Sequence, residues 1–144
     1  MIREALSSIK LKDVMTSPVI TVSQEDDFHV VQEKLETHDI RHLPVVDDYN
    51  KLVGIITQRQ LYKICSPRRL ETGEWYYDKD MLDSFILKRV MSKVMRVLKP
   101  QHTLAEAIKD MVKLKVGCIP IVDDANRPVG IVTRDGILAY LLNL

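Results

Sequence analysis

Hydrophobic residues recur along this chain with helical spacing in some stretches and with the density of buried strands in others. Near the N-terminus, Ile2, Leu6 and Ile9 are spaced four and three apart, which predicts a short amphipathic helix within residues 1–12. We expect its apolar face to cover a sheet edge or to pack on a partner subunit. This interpretation is favoured over a targeting role, because the segment lacks a long apolar run.

A first series of elements follows this helix and ends at Pro67, which stops the last helix. Pro18 has no backbone donor and therefore suits the start of a strand. Asp26 or Asp27 is predicted to N-cap the first helix of the series. The predicted elements are a strand at 19–22, a helix carrying Phe28, Val31 and Leu35 and ending near residues 38–39, a buried strand at 43–46, a turn at 47–51, a strand at 52–57 and a helix at 58–65.

The same β-α-β-β-α series returns after 76 residues without a gap. Thirteen positions in 11–64 are identical in the second copy, and nine of them fall within residues 44–57. The second copy adds a capping box, Thr103 to Glu106, ahead of a stripe of Leu104, Ala107, Ile108 and Met111. Such similarity at a fixed offset indicates an internal duplication. We therefore predict an α+β fold in which two repeats, each marginal alone, pack with pseudo-two-fold symmetry.

The duplication divides the chain into an N-terminal helix at 1–10, repeat 1 at 11–65, a linker at 66–86 and repeat 2 at 87–144. The linker is predicted to contain a helix that places Met81, Leu82, Phe85 and Ile86 on one face. Its aromatic triplet, residues 75–77, could stack on a base, but anchoring the linker or a subunit interface is the favoured interpretation. Arg68 and Arg69 are expected to be a solvated pair.

Composition excludes several classes of function. The net charge is +1, from 21 basic and 20 acidic residues, so there is no global basic surplus for nucleic acid. No apolar run approaches the length of about 18 residues that a membrane span needs. No secretory signal is evident, and the expected location is the cytoplasm. Cys65 and Cys118 are expected to be reduced, partly buried thiols.

The sequence offers no convincing set of catalytic or metal-binding residues. His38 and His42 have helical ligand spacing, but the helix is expected to end between them, so no metal is predicted. The acidic pairs at 47–48 and 123–124 lie in turns with an asparagine, which explains them better than acid–base chemistry does. A Gly-rich phosphate loop and a nucleophile elbow are both missing from the sequence. We therefore expect a protein that is not an enzyme.

Each repeat carries the same set of short motifs in the same order. In repeat 1 these are Val14-Met15, Leu43-Pro44-Val45-Val46-Asp47 and Gly54-Ile55-Ile56-Thr57. Together with their second copies they resemble the cystathionine β-synthase (CBS) domain family, over residues 11–64 and 87–142. The resemblance implies a tandem CBS pair, or Bateman module. Such pairs bind an adenosyl ligand (AMP, ADP, ATP, S-adenosylmethionine or a cyclic dinucleotide) and commonly form dimers.

The resemblance also implies two ligand clefts, each drawing on both repeats. The family's ribose-binding aspartate is replaced by Gln60 in repeat 1 and by Gly136 in repeat 2, where Asp135 comes one position early. Cleft one has a basic pair where cleft two has an uncharged one, so a phosphorylated ligand is expected to prefer cleft one. Its residues are Thr16, Ser17, Pro18, Arg41, His42, Leu43, Thr133, Arg134 and Asp135. The residues of cleft two are Lys93, Val94, Gly117, Cys118, Ile119, Thr57 and Gln60.

Two hypotheses for function remain open at this point. The leading one is a stand-alone regulatory pair that senses an adenosyl ligand and acts on a protein partner in trans, as a homodimer. The alternative is a protein-interaction or dimerisation module that binds no ligand, which the replacements at Gln60 and Gly136 would allow. Neither hypothesis requires an obligatory cofactor. An adenine nucleotide or S-adenosylmethionine would serve as a regulatory ligand.

Overall fold

The computed structural model describes residues 1–143, which form two compact units that differ from the two sequence repeats. The repeat-1 unit comprises residues 20–49 and 53–93. The repeat-2 unit comprises residues 1–19, 50–52 and those from Val94 onward. The leading segment of each repeat, residues 11–19 or 87–93, therefore belongs to the unit that carries the body of the other repeat.

The elements confirm the predicted α+β class and the repeated β-α-β-β-α order. In the second copy the first strand is reduced to a single parallel bridge between Leu98 and Ile121. A 3-10 turn at Leu11–Asp13 follows the first helix. The elements are α1 Ile2–Ser8, β1 Val22–Ser23, α2 Phe28–Thr37, β2 His42–Val46, β3 Leu52–Thr57, α3 Gln58–Ile64, β4 Arg68–Arg69, β5 Trp75–Tyr76, α4 Lys79–Asp83, α5 Leu87–Val90, α6 Leu104–Leu114, β6 Cys118–Val122, β7 Pro128–Thr133 and α7 Arg134–Leu142.

The repeat-1 unit is built on a sheet of order β1-β2-β3, in which β1 runs parallel to β2. The predicted strand at 19–22 is wrong in its extent, because only Val22 and Ser23 pair with β2. The Asp26 carboxylate accepts from the Ser23 N–H at 2.9 Å, which turns the chain before α2. Asp27 holds the N-cap position, but its side chain makes no capping hydrogen bond. The core residues are Val22, Phe28, Val31, Leu35, Leu43, Val45, Ile56, Leu61, Cys65, Leu82 and Leu87.

The linker folds back on the repeat-1 unit instead of hanging free. Its first part is the β4-β5 hairpin, where the Arg69 guanidinium carbon lies 5.5 Å from the Trp75 ring centroid. Leu82 is buried, and Phe85 packs edge-on against Phe28, with 6.4 Å between ring centroids. The prediction that Met81 and Ile86 share this apolar face is wrong. Helix α4 ends at Asp83, and both of those side chains are exposed.

The repeat-2 unit contains the antiparallel β6-β7 pair, α6, α7 and the N-terminal helix. The predicted capping box of α6 is confirmed: Thr103 Oγ1 accepts from the Glu106 N–H, and the Glu106 carboxylate accepts from the Thr103 N–H. Helix α1 packs beside α6, and the Leu11 N–H donates to His102 O at 2.8 Å. The core residues are Leu11, Leu98, Leu104, Ala107, Met111, Ile119, Ile121, Val132 and Ile137.

The two hairpin turns confirm the turn chemistry of the repeated Asp-Asp-x-Asn segment. Asn50 and Asn126 stand at matching positions with φ of 60° and 61°, a left-handed conformation that asparagine tolerates. Asp123 accepts from the backbone N–H groups of Ala125 and Arg127, so it has a structural role in its turn. Among residues 1–143, no helix has the length and apolar character needed to cross a membrane.

Candidate functional site

The leading segment of each repeat pairs with the second strand of the other repeat's hairpin, β3 or β7. Thr16 and Ile131 exchange backbone hydrogen bonds of 2.9 and 3.2 Å, and Ser92 and Ile55 exchange bonds of 2.8 and 3.0 Å. These pairs are equivalent under the 76-residue offset. Each brings a leading segment to the junction of a strand and a helix. We call Thr16, Ser17, Pro18, Thr133, Arg134, Asp135 and Gly136 half-site one, and Thr57, Gln60, Ser92 and Lys93 half-site two.

A methionine laid over a glycine holds each leading segment in place. A Cβ built on Gly130 would lie 2.5 Å from Met15 Sδ, and a Cβ on Gly54 would lie 2.7 Å from Met91 Sδ. A larger residue at either glycine would force the methionine side chain to move. Both pairs are among the repeated identities, and that joint repetition was the signal that could have revealed the contact from sequence.

In half-site two, the Gln60 side chain fills the space between α3 and the leading segment. Its Oε1 accepts from the Thr57 N–H at 2.9 Å. Its Nε2 donates to Val90 O at 3.2 Å and to Ser92 Oγ at 2.7 Å. The Gln60 N–H donates to Thr57 Oγ1 at 3.2 Å, which completes a capping box. Gln60 therefore provides hydrogen-bond partners from within the protein for Thr57, Val90 and Ser92.

In half-site one, the equivalent position is Gly136, which has no side chain. Its N–H donates to Thr133 Oγ1 at 3.0 Å, so half of the cap is retained. Within the described chain, Thr133 Oγ1 is the one heavy atom within 4 Å of a Cβ built there, leaving aside chain neighbours and the backbone of the same helix. Half-site one is therefore open where half-site two is filled.

The other predicted cleft residues are divided between the two units. The Gln58 N–H donates to Arg41 O at 2.9 Å, and the Arg134 N–H donates to Gly117 O at 3.0 Å, which are matching bonds in the two copies. Arg41 and Asp135 are exposed. Arg41, His42 and Leu43 belong to the repeat-1 unit, while Val94, Gly117, Cys118 and Ile119 belong to the repeat-2 unit.

Both cysteines are buried, and burial raises the pKa of each thiol. Burial raises the pKa of the Cys118 thiol to about 12, so it stays protonated. Burial, reinforced by the nearby Asp78 carboxylate, also raises the pKa of Cys65. Both behave as small apolar core residues, and both are free thiols.

One group of side chains with metal-ligand chemistry comes together in the repeat-1 unit. Asp27, His29 and Asp83 each provide one potential ligand atom, and these three atoms lie within 4.8 Å of one another. His29 Nδ1 is already engaged, at 2.9 and 3.0 Å from the two Asp83 oxygens. The two partners are 54 positions apart in the sequence, which explains why sequence reasoning missed the contact. The arrangement acts as a tie between α2 and the linker.

Each unit also has a groove between its two repeat helices. In the repeat-2 unit, a groove of about 440 Å³ between α6 and α7 is mostly apolar. In the repeat-1 unit, the matching groove between α2 and α3 measures about 830 Å³, and the linker residues Trp75, Tyr76 and Tyr77 also line it. Arg41, the arginine predicted to bind phosphate in cleft one, also lines this groove of the repeat-1 unit.

The family model for the CBS domain matches residues 11–66 and 87–143. Two repeats of this kind, each with a buried Pro-bearing strand followed by a Gly-bearing strand and a Thr-capped helix, define a CBS domain pair. The chain belongs to the CBS domain family, which confirms the resemblance drawn from its motifs.

Similar proteins include enzymes that carry such a pair as a part and proteins of this size. The chain is 37% identical over 129 residues to an inosine-5'-monophosphate dehydrogenase of Methanocaldococcus jannaschii; the match covers 90% of the chain and 23% of the dehydrogenase. It is 29% identical over 142 residues to a CBS domain-containing protein of Dictyostelium discoideum, covering 94% and 93% of the two chains. The chain thus spans less than a quarter of the dehydrogenase.

Among solved structures, the chain is similar to the CBS domain pair of protein MJ0100. That pair was solved in complex with 5'-methylthioadenosine and S-adenosyl-L-methionine. The TM-score is 0.74 at 27% sequence identity, and the match covers 92% of this chain and 98% of that one. The fold similarity thus extends over nearly all of both chains.

Proposed function

We propose that this CBS pair is a regulatory module that senses an adenosyl ligand and passes its occupancy to a protein partner in trans, without catalysing a reaction. The ligand classes are AMP, ADP, ATP, S-adenosylmethionine and cyclic dinucleotides. The carrying observation is half-site one, which leaves an open space beside Thr133 and Gly136. The complex of the 27% identical pair with two adenosyl compounds supports this ligand class.

The chemistry of half-site one suits a nucleoside. The Thr16, Ser17 and Thr133 hydroxyls can donate or accept hydrogen bonds, and the Asp135 carboxylate offers acceptors for a ribose diol. Asp135 and Arg134 are exposed on the first turn of α7, and Arg134 is a charge-assisted donor to phosphate. Two assignments stay predictions from the family resemblance. The first is that cleft one is completed by Arg41, His42 and Leu43, and the second is that cleft two is bordered by Val94, Gly117, Cys118 and Ile119.

The proposed mechanism is a shift of population between arrangements of the pair. A ligand can favour one arrangement only if it binds that arrangement more tightly than the other. Residues 16–18 and 133–136 belong to different repeats, so a ligand that bridges them stabilises the crossed-over leading segment. The partner would then recognise the stabilised state.

The first test is a thermal shift assay followed by calorimetric titration with AMP, ADP, ATP, S-adenosylmethionine, 5'-methylthioadenosine and cyclic di-AMP. A ligand at about 100 times its Kd should add about 2.7 kcal/mol to the free energy of unfolding. Asp135→Asn should weaken binding, while Arg59→Gln, at the matching position of repeat 1, serves as the control. If none of the six compounds shifts the melting temperature, the proposal fails and the alternative, an interaction module without a ligand, is favoured.

A second test concerns the preference of phosphorylated ligands for cleft one. Replacing both Arg41 and His42 by alanine should lower the affinity for AMP or ATP and leave 5'-methylthioadenosine, which has no phosphate, much less affected. Unchanged affinity for the nucleotides would rule out a role for this basic pair in the cleft.

We propose further that the module is a homodimer that uses the α6–α7 groove. Val112 and Leu138 border it with 73% and 61% of their surfaces exposed, so they extend the apolar lining of the groove to the surface, and contiguous exposed apolar surface marks interaction sites. Light scattering on a sizing column should show a dimer, and Val112→Asp with Leu138→Asp should give monomers. Lys113→Glu, outside the groove lining on the same helix, is the control. A wild-type monomer would exclude the dimer.

A further inference from the structure

We propose that Gln60 is a built-in occupant of half-site two, so that the chain binds one adenosyl ligand, in half-site one, where Gly136 leaves the equivalent space open. The ligand's polar groups would then make in half-site one the hydrogen bonds that the Gln60 carboxamide makes in half-site two. The inference rests on the proposed function and adds to it the stoichiometry and the residue pair that decides it.

The backbone groups around Gln60 and Gly136 correspond between the two copies. Gln60 bonds to Thr57, Val90 and Ser92, and the offset of 76 residues maps these three onto Thr133, Val14 and Thr16. Thr16 sits on β7 through the same two-bond pairing that places Ser92 on β3. The two half-sites therefore share the same pairing of leading segment and strand, and the side chain at position 60 or 136 decides whether the space between them is filled.

The backbone conformation at position 136 does not require a glycine. Gly136 lies in the first turn of α7 and does not have a positive φ. A Cβ there would meet Thr133 Oγ1 at 3.0 Å, and Gln60 carries a Cβ against the same cap, with its N–H 3.2 Å from Thr57 Oγ1. Glycine in a helix lowers its stability relative to other residues. The glycine at 136 thus lowers the helix propensity of α7, and the close contact that it avoids is the one with Thr133 Oγ1.

The contrast with the two strand glycines supports this reading. Gly54 and Gly130 are each covered by a methionine at less than 3 Å from a built Cβ, so close packing explains them. Gly136 has no such cover among the described residues. What its absent side chain provides is space next to Thr133 and the crossed-over segment.

The space beside Gly136 suits a ligand group that both donates and accepts hydrogen bonds. By analogy with Gln60, a ligand needs an acceptor for the Thr133 N–H and donors for Val14 O and Thr16 Oγ. A neutral group that both donates and accepts, such as a vicinal diol, meets this requirement, whereas an anionic group offers acceptors only. A ribose is therefore a better fit to this position than a phosphate, which leaves phosphate recognition to basic side chains elsewhere.

The test combines calorimetric stoichiometry with ligand-free melting for wild type, Gly136→Gln and Gln60→Gly, with S-adenosylmethionine and 5'-methylthioadenosine as probes. The wild-type protein should bind one equivalent per chain. Gly136→Gln should weaken binding at least tenfold and, without ligand, raise the melting temperature by about 2–4 °C, because the Gln60 arrangement is reproduced. Gln60→Gly should lower the melting temperature and open a second site. Ala139→Gln, an exposed position later on α7, controls for a glutamine on the helix.

Several results would overturn the inference. Wild-type binding of two equivalents per chain would show that Gln60 does not close half-site two. Wild-type binding that Gly136→Gln leaves unchanged would show that the space is not used, although the proposed function would stand. A lower melting temperature for Gly136→Gln would contradict the equivalence of the two surroundings. Failure of the wild-type protein to bind either probe or any nucleotide would overturn the inference together with the proposed function.

Discussion

Repeat 1 and repeat 2 share their strand-turn-strand segment but differ in the helix grooves beside it. Glu36 and Tyr62 of repeat 1 correspond in sequence to Val112 and Leu138 of repeat 2. The linker borders the first groove with three aromatic residues, while the second groove has no such border within the described chain. The duplicated core has kept the residues that packing requires, whereas the residues that line the grooves have diverged.

The helix starts show the same contrast on a smaller scale. Thr103 caps α6 through its side chain, while Asp27, at the matching position, makes no such bond with α2. At the second helix the relation is reversed, because Gln60 completes a capping box and Gly136 does not. Each copy therefore has one fully capped helix, and they are different helices.

The largest expected effect tests whether the two cores are equally critical. Leu43 and Ile119 match under the offset, and both are fully buried. Leu43→Ala and Ile119→Ala should each lower the free energy of unfolding by about 2–5 kcal/mol, measured by urea denaturation. A loss below about 1 kcal/mol for one of them would show that its unit contributes little to the measured transition.

The next largest effect tests the close packing of Met15 on Gly130 and of Met91 on Gly54. Gly130→Ala and Gly54→Ala should each destabilise the protein by about 1–3 kcal/mol through overpacking. Adding Met15→Ala to Gly130→Ala should recover part of the loss. Adding Met91→Ala to Gly54→Ala should recover less, because Ser92 O also lies 3.0 Å from that Cβ. Double-mutant cycles on unfolding free energies measure both couplings, and equal recovery would contradict the difference.

A smaller effect tests the unequal caps. Thr103→Ala removes the cap of α6 and should lower the free energy of unfolding by about 1 kcal/mol. Asp27→Ala removes no capping bond and should change it by a few tenths of a kcal/mol at most. Thermal denaturation of the two variants provides the comparison. A loss at Asp27 as large as that at Thr103 would mean that this carboxylate stabilises α2 in another way.

The smallest effect concerns the His29–Asp83 tie, which repeat 2 cannot have because Ala105 stands at the position matching His29. Burial disfavours the Asp83 carboxylate, but hydrogen bonds from His29 outweigh it, so the pKa of Asp83 lies below its usual value of 3.8. Because the pKa is lower in the folded state, the ionised Asp83 stabilises the protein at pH values above 3.8. This contribution is lost as the pH falls through the folded-state pKa.

Asp83→Asn should therefore remove about 1 kcal/mol or less near neutral pH. It should also flatten the acid limb of a plot of unfolding free energy against pH. Glu25→Gln, which breaks an exposed ion pair with Lys88 in the same unit, is the matched control. An unchanged acid limb for Asp83→Asn would mean that the tie does not contribute to folding.

The sequence was most informative where a feature depends on residues that are close together in the chain. The Thr103–Glu106 box, the Asn50 and Asn126 turns and the buried strands follow from capping, from left-handed backbone and from hydrophobic runs. The extent of the first strand was less predictable, because its pairing partner lies on β2 and the Asp26 turn ends it early.

The arrangement around the candidate site could be predicted only in part. The motif residues Thr57 and Thr133 were identified, but the role of Gln60 depends on contacts with Val90 and Ser92, about 30 positions away. In sequence, Gln60 and Gly136 look like two losses of the same aspartate. In the structure they differ, because one fills its surroundings and the other leaves them open.

The crossed-over leading segments have a consequence for the origin of this chain. Residues 11–19 fold with the body of repeat 2, and residues 87–93 fold with the body of repeat 1, so the stretch that was copied is not the stretch that folds. In a single-repeat ancestor with this backbone, the leading segment that completes the unit would come from a second molecule, as in domain swapping. Gene fusion would then have converted a concentration-dependent assembly into an intramolecular one.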